Sequence, residues 1–354
     1  MSKMKIAVIG CGKIANIAHL GPLSKMDDVE IKYAVDLIPE RAEAAGKNYG
    51  AGQALTDYKT ALQDREVTAV YVLTPNYSHY TITMDALRAG KHVFCEKPIT
   101  TNYALSKEMA DEANKRNLIL NIGVCNRYHK SVELIKEYVE QGKLGEVYHI
   151  YCSFRAFRSI PGLGGPFTIK AQSGGGVLID WGIHYLDLIL FITGIKTKTV
   201  SANAYSKLGK DISKYVYKDM WAGPPVPDGV YDVDDMVTGF IRTTGASISF
   251  NGAWAQNIDA EEGGYIDFMG DKGGIRLRYG GHFTYYTTEN GALQTVKPDY
   301  NIPDMYTRED LRFIEAVRKG IKTRSHIDRV LESARLLDAI YESADKQVEI
   351  TLSS

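Results

Sequence analysis

The stretch VIGCGKIA, at residues 8–15, decides the fold of the first part of this 354-residue chain. It follows a short apolar run that predicts a strand, and it leads into a stretch with helical character. The first glycine permits a tight turn, the second lets the backbone approach a pyrophosphate, and the small Ala15 lets the helix pack close to the sheet. The exposed N–H groups of the helix N-terminus favour phosphate. We expect the pyrophosphate of a dinucleotide to lie against Gly10, Gly12, Lys13 and Ile14.

An acidic residue ends the next predicted strand, Glu30–Asp36. A carboxylate at this place accepts hydrogen bonds from ribose hydroxyls and repels the extra phosphate of NADP, so it predicts NAD as the cofactor. Arg41 either partly offsets the repulsion between Asp36 and the extra phosphate of NADP, or is a solvated arginine at the start of a helix. The glycine spacing alone also suits an ordinary turn in a phosphate-free α/β protein.

Strands and helices alternate through the first third of the chain, which predicts βαβ units and a parallel sheet covered on both faces. We assign residues 1–125 to a Rossmann domain that binds NAD. Beyond residue 125, several strand-like runs follow one another with short turns, which indicates an antiparallel sheet. The fold class is therefore an α/β Rossmann domain followed by an α+β domain with an open antiparallel sheet, at 126–354, that we expect to bind substrate.

The composition limits the class of protein. Lys and Arg together number 42 and Asp and Glu 43, so the charge balance favours neither a nucleic-acid partner nor a membrane surface. The four cysteines are scattered without metal-ligand spacing, which predicts reduced thiols, no metal site and a cytoplasmic protein. The apolar run Ile6–Ile9 is too short for a signal peptide. The apolar tract Val177–Ile192 contains charged residues, which favours a buried helix over a membrane span.

A second group of candidates follows two further strands of the parallel sheet. Ligands bind outside the carboxyl ends of such strands. Glu96-Lys97-Pro98 comes after the fourth strand, and its alternative interpretation is a surface lysine in a turn. After the third strand, Asn76 and Ser78 also suit roles in a turn or as a helix N-cap, and the alternative for His79 is a structural role. We count Thr74, Pro75, Asn76, His79, Glu96 and Lys97 among the cofactor-binding candidates.

A third motif is GGGVLIDWGIHYLD at residues 174–187. Asp180, His184 and Asp187 are spaced to share one stripe of a helix that is otherwise apolar. Such a stripe must be hydrogen-bonded or face a cavity. A lone buried histidine is usually structural, but an aspartate one turn before it and a run of glycines in front favour a site. Asp187 is the weakest of the three candidates.

These motifs, in this order, resemble the family that groups glucose–fructose oxidoreductase and inositol dehydrogenase (Gfo/Idh/MocA). The resemblance also includes LTPNYSHY at 73–80, AGKHVFCEKP at 89–98, the NRY run at 126–128 and MGDKGG at 269–274. It implies a Rossmann domain followed by an open-sheet domain and a homo-oligomer. It also implies a catalytic set of Lys97, Asp180 and His184. The segment GLGGPFTIKAQSGGGVLIDWGIH, at 162–184, resembles members that oxidise the C3 hydroxyl of glucosides.

The substrate implied by the resemblance is a sugar, polyol or glycoside. Trp181 is either a platform for a sugar ring or a core residue. The glycine-rich stretch 162–176, with Leu163, Phe167 and Lys170, and the segment 211–228, with Trp221, are predicted to cover an aglycone or else to pack against neighbouring subunits. We expect the substrate to contact Lys97, Arg127, Tyr128, Arg155, Lys170, Asp180, Trp181 and His184.

Hydride transfer then assigns the roles. His184 is the base that takes the hydroxyl proton, Asp180 orients it or binds a second hydroxyl, and Lys97 stabilises charge on the reacting oxygen. The sequence leaves open whether Lys97 or His184 makes the decisive proton transfer. An inositol, polyol or aldose dehydrogenase, and an NAD-dependent glycosidase that oxidises its sugar transiently, remain alternatives. A non-catalytic NAD-binding regulator is disfavoured because both the lysine and the histidine are present.

Overall fold

The computed structural model describes residues 3–218, 220–258 and 263–352. The chain forms two compact units, and the first contains a segment from late in the sequence. Unit 1 comprises Met1–Tyr128 and Pro303–Leu331, and unit 2 comprises His129–Ile302 and Glu332–Ser354. The sequence analysis placed all of 126–354 in the second domain, so the structure differs from it chiefly in the segment 303–331.

The sheet of unit 1 is parallel and has six strands in the order β3-β2-β1-β4-β5-β6, which is the Rossmann order. Its central strands are short apolar runs because both faces are covered by helices. The strands are β1 (Met4–Ile9), β2 (Val29–Val35), β3 (Gln53–Leu55), β4 (Val67–Val72), β5 (His92–Glu96) and β6 (Leu120–Gly123). The parallel Rossmann domain predicted from the sequence is confirmed. β3 was missed because it is a three-residue edge strand.

Helices follow the strands of this sheet, as the alternating pattern predicted. The first helical stretch begins at Lys13 and passes through a π-helical segment, Ala15–His19. The α-helices are α1 (Leu20–Ser24), α2 (Pro39–Tyr49), α3 (Tyr58–Gln63), α4 (Asn76–Arg88) and α5 (Tyr103–Lys115). Each connection brings the chain back to the same edge, so the carboxyl ends of β1, β2, β4 and β5 carry the candidate cofactor loops.

The sheet of unit 2 has nine strands in the order β14-β13-β12-β11-β7-β10-β9-β8-β15. All neighbouring pairs are antiparallel except β7 and β10, which are parallel. The predicted open antiparallel sheet is therefore a mixed, mostly antiparallel one. Its strands are β7 (Val147–Arg155), β8 (Thr197–Tyr205), β9 (Met236–Thr243), β10 (Ser247–Ala253), β11 (Tyr265–Gly270), β12 (Gly273–Arg278), β13 (Phe283–Glu289), β14 (Ala292–Val296) and β15 (Ile350–Thr351).

One face of the nine-stranded sheet packs on helices and forms the core of unit 2. Ile150, Cys152 and Phe154 of β7 point to this face and are fully buried or nearly so. The helices of the later chain are α6 (Lys130–Glu140), α7 (Lys170–Ser173), α8 (Ile183–Thr193), α9 (Met305–Lys319) and α10 (Leu331–Lys346). Among the described residues one helical stretch, Lys170–Thr193, is long and apolar enough to span a membrane, but it is mostly buried, as expected of a core helix.

Helix α9 belongs to unit 1 although it follows the strands of unit 2 in sequence. Its Phe313 is fully buried and packs edge-on against Tyr71 and Phe94, at ring-centroid distances of 5.4 and 5.7 Å. Tyr71 and Phe94 themselves stack at 4.9 Å. The late segment therefore completes the core of the Rossmann unit.

Candidate functional site

The glycine loop after β1 has the geometry that a dinucleotide requires. Gly10 has a φ of +93°, and a Cβ at this position would lie 2.5 Å from the carbonyl oxygen of Leu73, so no other residue fits. A Cβ at Gly12, in contrast, would have no atom within 4 Å. The protein itself does not require a glycine at 12. The open space therefore fits the close approach of a pyrophosphate to the backbone.

The helix after this loop presents its N-terminus at the same place. Lys13 is exposed and is the first helical residue, and Ile14 is half-buried against the core of unit 1. The first backbone N–H groups of a helix have no partner within it, and together with the helix dipole they attract phosphate. The predicted cofactor loop is thus built as expected, and its residues fit NAD.

Asp36 lies directly after β2 and is hydrogen-bonded to two backbone groups. Its Oδ2 accepts from the N–H of Cys11 at 2.8 Å, and its Oδ1 accepts from the N–H of Ile38 at 2.9 Å. Each carboxylate oxygen keeps further lone pairs for ribose hydroxyls. The carboxylate is therefore fixed beside the glycine loop. Arg41 is exposed on α2.

The loop after β4 lies at the same edge of the sheet, and His79 anchors it. Thr74 and Asn76 are half-exposed and Pro75 is exposed. His79 is fully buried, with Nδ1 2.8 Å from the Pro98 carbonyl oxygen and Nε2 2.8 Å from the Thr74 carbonyl oxygen. His79 was a cofactor candidate with a structural role as its alternative, and the engagement of both ring nitrogens by backbone carbonyls favours the structural role. Its role is to tie the loop after β4 to the loop after β5.

The Glu96-Lys97-Pro98 motif ends β5, and its peptide bond before Pro98 is cis. Lys97 is half-exposed, whereas Glu96 is buried. The Glu96 Oε2 accepts a hydrogen bond from the N–H of Lys97 at 3.0 Å, and its Oε1 lies 3.0 Å from His19 Nε2. The Glu96 side chain therefore points into unit 1. We predicted that Glu96 binds the cofactor, and these contacts give its carboxylate a structural role instead.

The NRY run at 126–128 is also structural. Arg127 is buried, and its guanidinium donates to the carbonyl oxygens of Arg324 at 2.6 Å and Arg329 at 2.9 Å. Tyr128 is buried as well, with the guanidinium of Arg324 5.1 Å from its ring centroid. We predicted both as substrate-binding residues. Their burial and their contacts with the segment 303–331 remove them from the candidate set.

In unit 2, Asp180, Trp181 and His184 lie where a π-helical segment, Leu178–Gly182, passes into α8. All three are half-exposed, whereas most other residues of this stretch are buried. Asp187 is buried and accepts a hydrogen bond from Ser333 Oγ at 2.7 Å, which makes it structural. Single π turns occur frequently at functional sites. The predicted polar stripe is thus reduced to one pair, Asp180 and His184.

Asp234 holds the N-terminus of this helix, and the sequence analysis missed it. Its Oδ1 accepts from the N–H of Gly176 at 2.7 Å and from Tyr341 Oη at 2.8 Å, and its Oδ2 accepts from the N–H of Leu178 at 3.0 Å. Its backbone carbonyl accepts from the N–H of Val177 at 3.0 Å. Burial raises the pKa of Asp234, and the hydrogen bonds oppose that shift. Asp234 therefore fixes the turn from which the Asp180–His184 helix starts.

The ring of Tyr279 lies close to the candidate pair within unit 2, and two further substrate candidates, Trp181 and Arg155, are half-exposed. The ring of Tyr279 is 6.1 Å from that of His184 and stacks on Tyr185 at 4.6 Å. Trp181 packs partly against the core of unit 2 and keeps part of its surface exposed. Arg155, at the end of β7, is half-exposed and its Nε donates to Ser153 Oγ at 3.1 Å.

The two segments that we predicted to cover an aglycone pack on each other. The N–H of Val226 donates to the Leu163 carbonyl at 2.8 Å, and the rings of Phe167 and Trp221 meet edge-on at 5.8 Å. Leu163 is buried in the core, so it does not cover a ligand as predicted. Phe167 is half-exposed, and Trp221 and Lys170 are exposed. The two segments therefore form one surface lobe, which carries the aromatic pair Phe167 and Trp221 on its surface.

Comparison with known protein families agrees with the Rossmann unit and the second, sheet-containing unit described above. Residues 4–124 match the oxidoreductase family described as an NAD-binding Rossmann fold, and residues 132–276 match the GFO/IDH/MocA C-terminal domain. The chain belongs to the Gfo/Idh/MocA oxidoreductase family. It is therefore an NAD-dependent oxidoreductase, and unit 1 carries its NAD-binding domain, as predicted.

Relatives and solved structures extend the comparison over the whole chain. D-glucoside 3-dehydrogenase of Escherichia coli (strain K12) is 30% identical over 99% of this chain and 98% of its own length. Myo-inositol 2-dehydrogenase of Thermotoga maritima is 30% identical over 60% of this chain and 61% of its own length. A levoglucosan dehydrogenase solved with NADH and levoglucosan superposes with a TM-score of 0.84 at 22% identity, over 99% of this chain and all of that one. This last likeness confirms the fold.

Proposed function

We propose that this Gfo/Idh/MocA oxidoreductase is an NAD-dependent dehydrogenase that oxidises the C3 hydroxyl of a glycoside to a ketone. The observation that carries the proposal is the half-exposed Asp180–His184 pair on a helix whose other side chains are mostly buried. The 30% identity to D-glucoside 3-dehydrogenase, over nearly the full length of both chains, supports the substrate class and the carbon.

The chemistry assigns a role to each candidate. When bound, NAD accepts the hydride that leaves the carbon bearing the hydroxyl group. His184 takes the proton of that hydroxyl, because a neutral imidazole is a suitable base near neutral pH. Asp180 orients the imidazole or binds a second hydroxyl. We assign to Lys97 a hydrogen bond to the reacting oxygen, which stabilises the negative charge that grows there.

The aromatic pair on the surface lobe supports a substrate larger than a free sugar. Phe167 and Trp221 keep apolar surface exposed, and Lys170 stands nearby in sequence at the start of α7. We propose that the aromatic pair packs on the aglycone and that Lys170 binds a hydroxyl. Binding energy from such a remote group raises turnover when it is used to orient the reacting carbon.

The test is a panel of glucosides, free glucose, myo-inositol and levoglucosan, scored for NADH formation at 340 nm. We expect the glucosides to give the highest kcat/KM and NMR to show a keto group at C3. If myo-inositol exceeds every glycoside, the inositol dehydrogenase alternative, which the Thermotoga relative supports, replaces this proposal. Release of aglycone without net NADH would instead indicate a glycosidase that returns its hydride.

We also propose a homo-oligomer that forms through the outer face of the nine-stranded sheet. This face is mixed: Arg276 pairs with Asp267 at 2.6 Å and lies over the ring of Tyr265, while Tyr286 and Leu293 are exposed towards the sheet edge. This face therefore offers both charged and apolar side chains to a second copy of the chain. A cytoplasmic location also remains a proposal, supported by the four cysteines, which are all buried free thiols.

A further inference from the structure

A buried histidine lies between two carboxylates behind the Lys97 motif. His19, in the π-helical segment after the glycine loop, is fully buried. Its Nδ1 lies 2.9 Å from Asp310 Oδ1, and its Nε2 lies 3.0 Å from Glu96 Oε1. The ring of Phe94 packs edge-on against it at 5.0 Å. All these residues belong to unit 1, so the arrangement is internal to the NAD-binding unit.

The arrangement requires a charged imidazole. An ionised carboxylate only accepts hydrogen bonds, so both ring nitrogens of His19 must donate. Burial disfavours the charged ring, but the negative charges and hydrogen bonds of Asp310 and Glu96 outweigh it and raise the pKa of His19 to about 10. The neighbouring Glu309 is fully buried, and burial, with the charge of Glu96, raises the pKa of Glu309 well above its usual range. This shift favours the neutral form of Glu309, whose Oε1 accepts a hydrogen bond from Ser325 Oγ at 3.4 Å.

Glu96 transmits this arrangement to the catalytic motif. One carboxylate oxygen faces His19, and the other accepts the N–H of Lys97 at 3.0 Å. A Cβ on Gly123 of β6 would lie 2.6 Å from Glu96 Oε1, so the glycine leaves the space that this side chain occupies. Contacts hold both oxygens of the Glu96 carboxylate, one with His19 and one with the N–H of Lys97. Loss of the contact with His19 therefore moves this side chain and, through it, the backbone of Lys97.

We propose that His19 and Asp310 are positioning residues of the reaction, which hold Glu96 and through it fix Lys97. The inference rests on the catalytic role proposed for Lys97. It explains why a residue of α9, almost 300 positions after the glycine loop, completes the NAD-binding unit. On the other side of the motif, His79 holds the carbonyl of Pro98. Two buried histidines therefore support the Lys97 motif, His19 from the helical segment after β1 and His79 from α4.

The experiment compares Asp310→Asn and His19→Gln with Glu309→Gln as the matched control. The control changes a carboxyl group on the same helix that accepts a hydrogen bond from Ser325, a bond that the oxygen of an amide also accepts, while both His19 nitrogens face Asp310 and Glu96. A misplacement of about 1 Å costs up to about 10²-fold in rate. We expect the two test variants to lose about 10- to 100-fold in kcat with the Kd for NADH changed less than about threefold, and the control to keep its kcat.

The pH dependence separates positioning from simple destabilisation. The titratable groups facing this cluster are Tyr71 on β4, Cys125 after β6, and Tyr306, Glu309 and Asp310 on α9. Asp310→Asn removes one of the two carboxylates that keep His19 charged, so the pKa of His19 must fall. We expect kcat of this variant to decrease as pH rises through the new pKa, and wild-type kcat to show no such decrease below pH 9.

Nitrogen NMR of the 15N-histidine-labelled wild-type enzyme tests the cluster without any activity. The His19 signal must remain that of an imidazolium at pH 8.5; a signal that titrates near pH 6.5 overturns the inference even if every variant fails to fold. If the NMR result holds but no glycoside is oxidised, the proposed function fails and not the cluster. If the enzyme is active and both test variants keep wild-type kcat at all pH values, the positioning role is refuted.

Discussion

Removing the Asp234 carboxylate tests whether the turn before the catalytic helix determines activity. Asp234→Ala leaves the N–H groups of Gly176 and Leu178 and the hydroxyl of Tyr341 without their acceptor. Hydrogen bonds to a charged group contribute about 1.5–3 kcal/mol each. The substitution also removes the free-energy cost of burying a charged carboxylate, a cost that the raised pKa of Asp234 reflects. This gain offsets part of the stability lost with the hydrogen bonds. We expect a net destabilisation of about 3–5 kcal/mol.

The adjacent aspartate provides the control. The Asp235 Oδ2 accepts from the N–H groups of Lys207, Leu208 and Gly209, so it holds a loop and not the helix. Burial raises the pKa of Asp235, as it raises the pKa of Asp234. Asp235→Ala is therefore expected to lose a similar amount of stability, while its kcat remains near that of the wild type at a temperature where both variants are folded.

The assay is urea unfolding followed by circular dichroism, together with NADH formation at 20 °C. A loss of 3–5 kcal/mol corresponds to a decrease in Tm of roughly 6–20 °C for a unit of this size. We expect Asp234→Ala to lose at least about tenfold in kcat, because Asp180 and His184 stand on the helix that it releases. A free energy of unfolding within about 1 kcal/mol of wild type, or an equal loss of kcat in Asp235→Ala, refutes the reasoning.

The other predictions concern cofactor choice, proton transfer, pH and assembly. Asp36→Ser narrows the preference for NADH over NADPH, measured by fluorescence titration; equal affinities in the wild type would contradict the role of Asp36. Lys97→Ala and His184→Ala each lower turnover by about 10²- to 10⁴-fold with little change in NADH binding, and near-normal turnover in either removes its assigned role. His19 stabilises the protein most below pH 6.5, so the difference in unfolding free energy between wild type and His19→Gln falls as pH rises through about 10, and a constant difference would show that the ring is neutral. Light scattering at micromolar concentration gives a multiple of the 39.3 kDa chain mass, whereas a stable monomer excludes the proposed sheet contact.

Local patterns in the sequence were sufficient for most of the fold. Apolar runs bounded by glycines and polar residues predicted every strand of the first sheet except β3, and the glycine loop and Asp36 lie at the carboxyl ends of β1 and β2, as the sequence predicted. The edge strand β14 was missed because all five of its residues are exposed and carry no alternating pattern. The predicted strand Glu30–Asp36 is observed at Val29–Val35, a shift of one residue.

The residues that the sequence analysis missed act through contacts that are distant in sequence. Asp310 meets His19 across 291 positions, and Asp234 meets Gly176 across 58. No local spacing encodes such a pair. Asp310 stands among charged residues such as Glu309 and Arg312, and Asp234 stands beside Asp235, so no local signal marked either aspartate as buried. Conversely, Arg127 was expected at the substrate as part of the NRY run that carries the resemblance, whereas its carbonyl partners lie about 200 residues later in the chain.

The return of the segment 303–331 to unit 1 has a consequence for how the protein is made. Nearly all of unit 2, residues 129–302, is inserted between β6 and α9 of unit 1. A ribosome therefore releases the six Rossmann strands long before Phe313 and Asp310, which close their core. Until then the aromatic pair Tyr71–Phe94 lacks a covering helix, and such exposed apolar surface favours aggregation. Unit 2 also needs a late segment, Glu332–Ser354, whose Leu336 and Ile340 are buried in its core, so neither unit is complete until the segments that follow residue 302 have been synthesised.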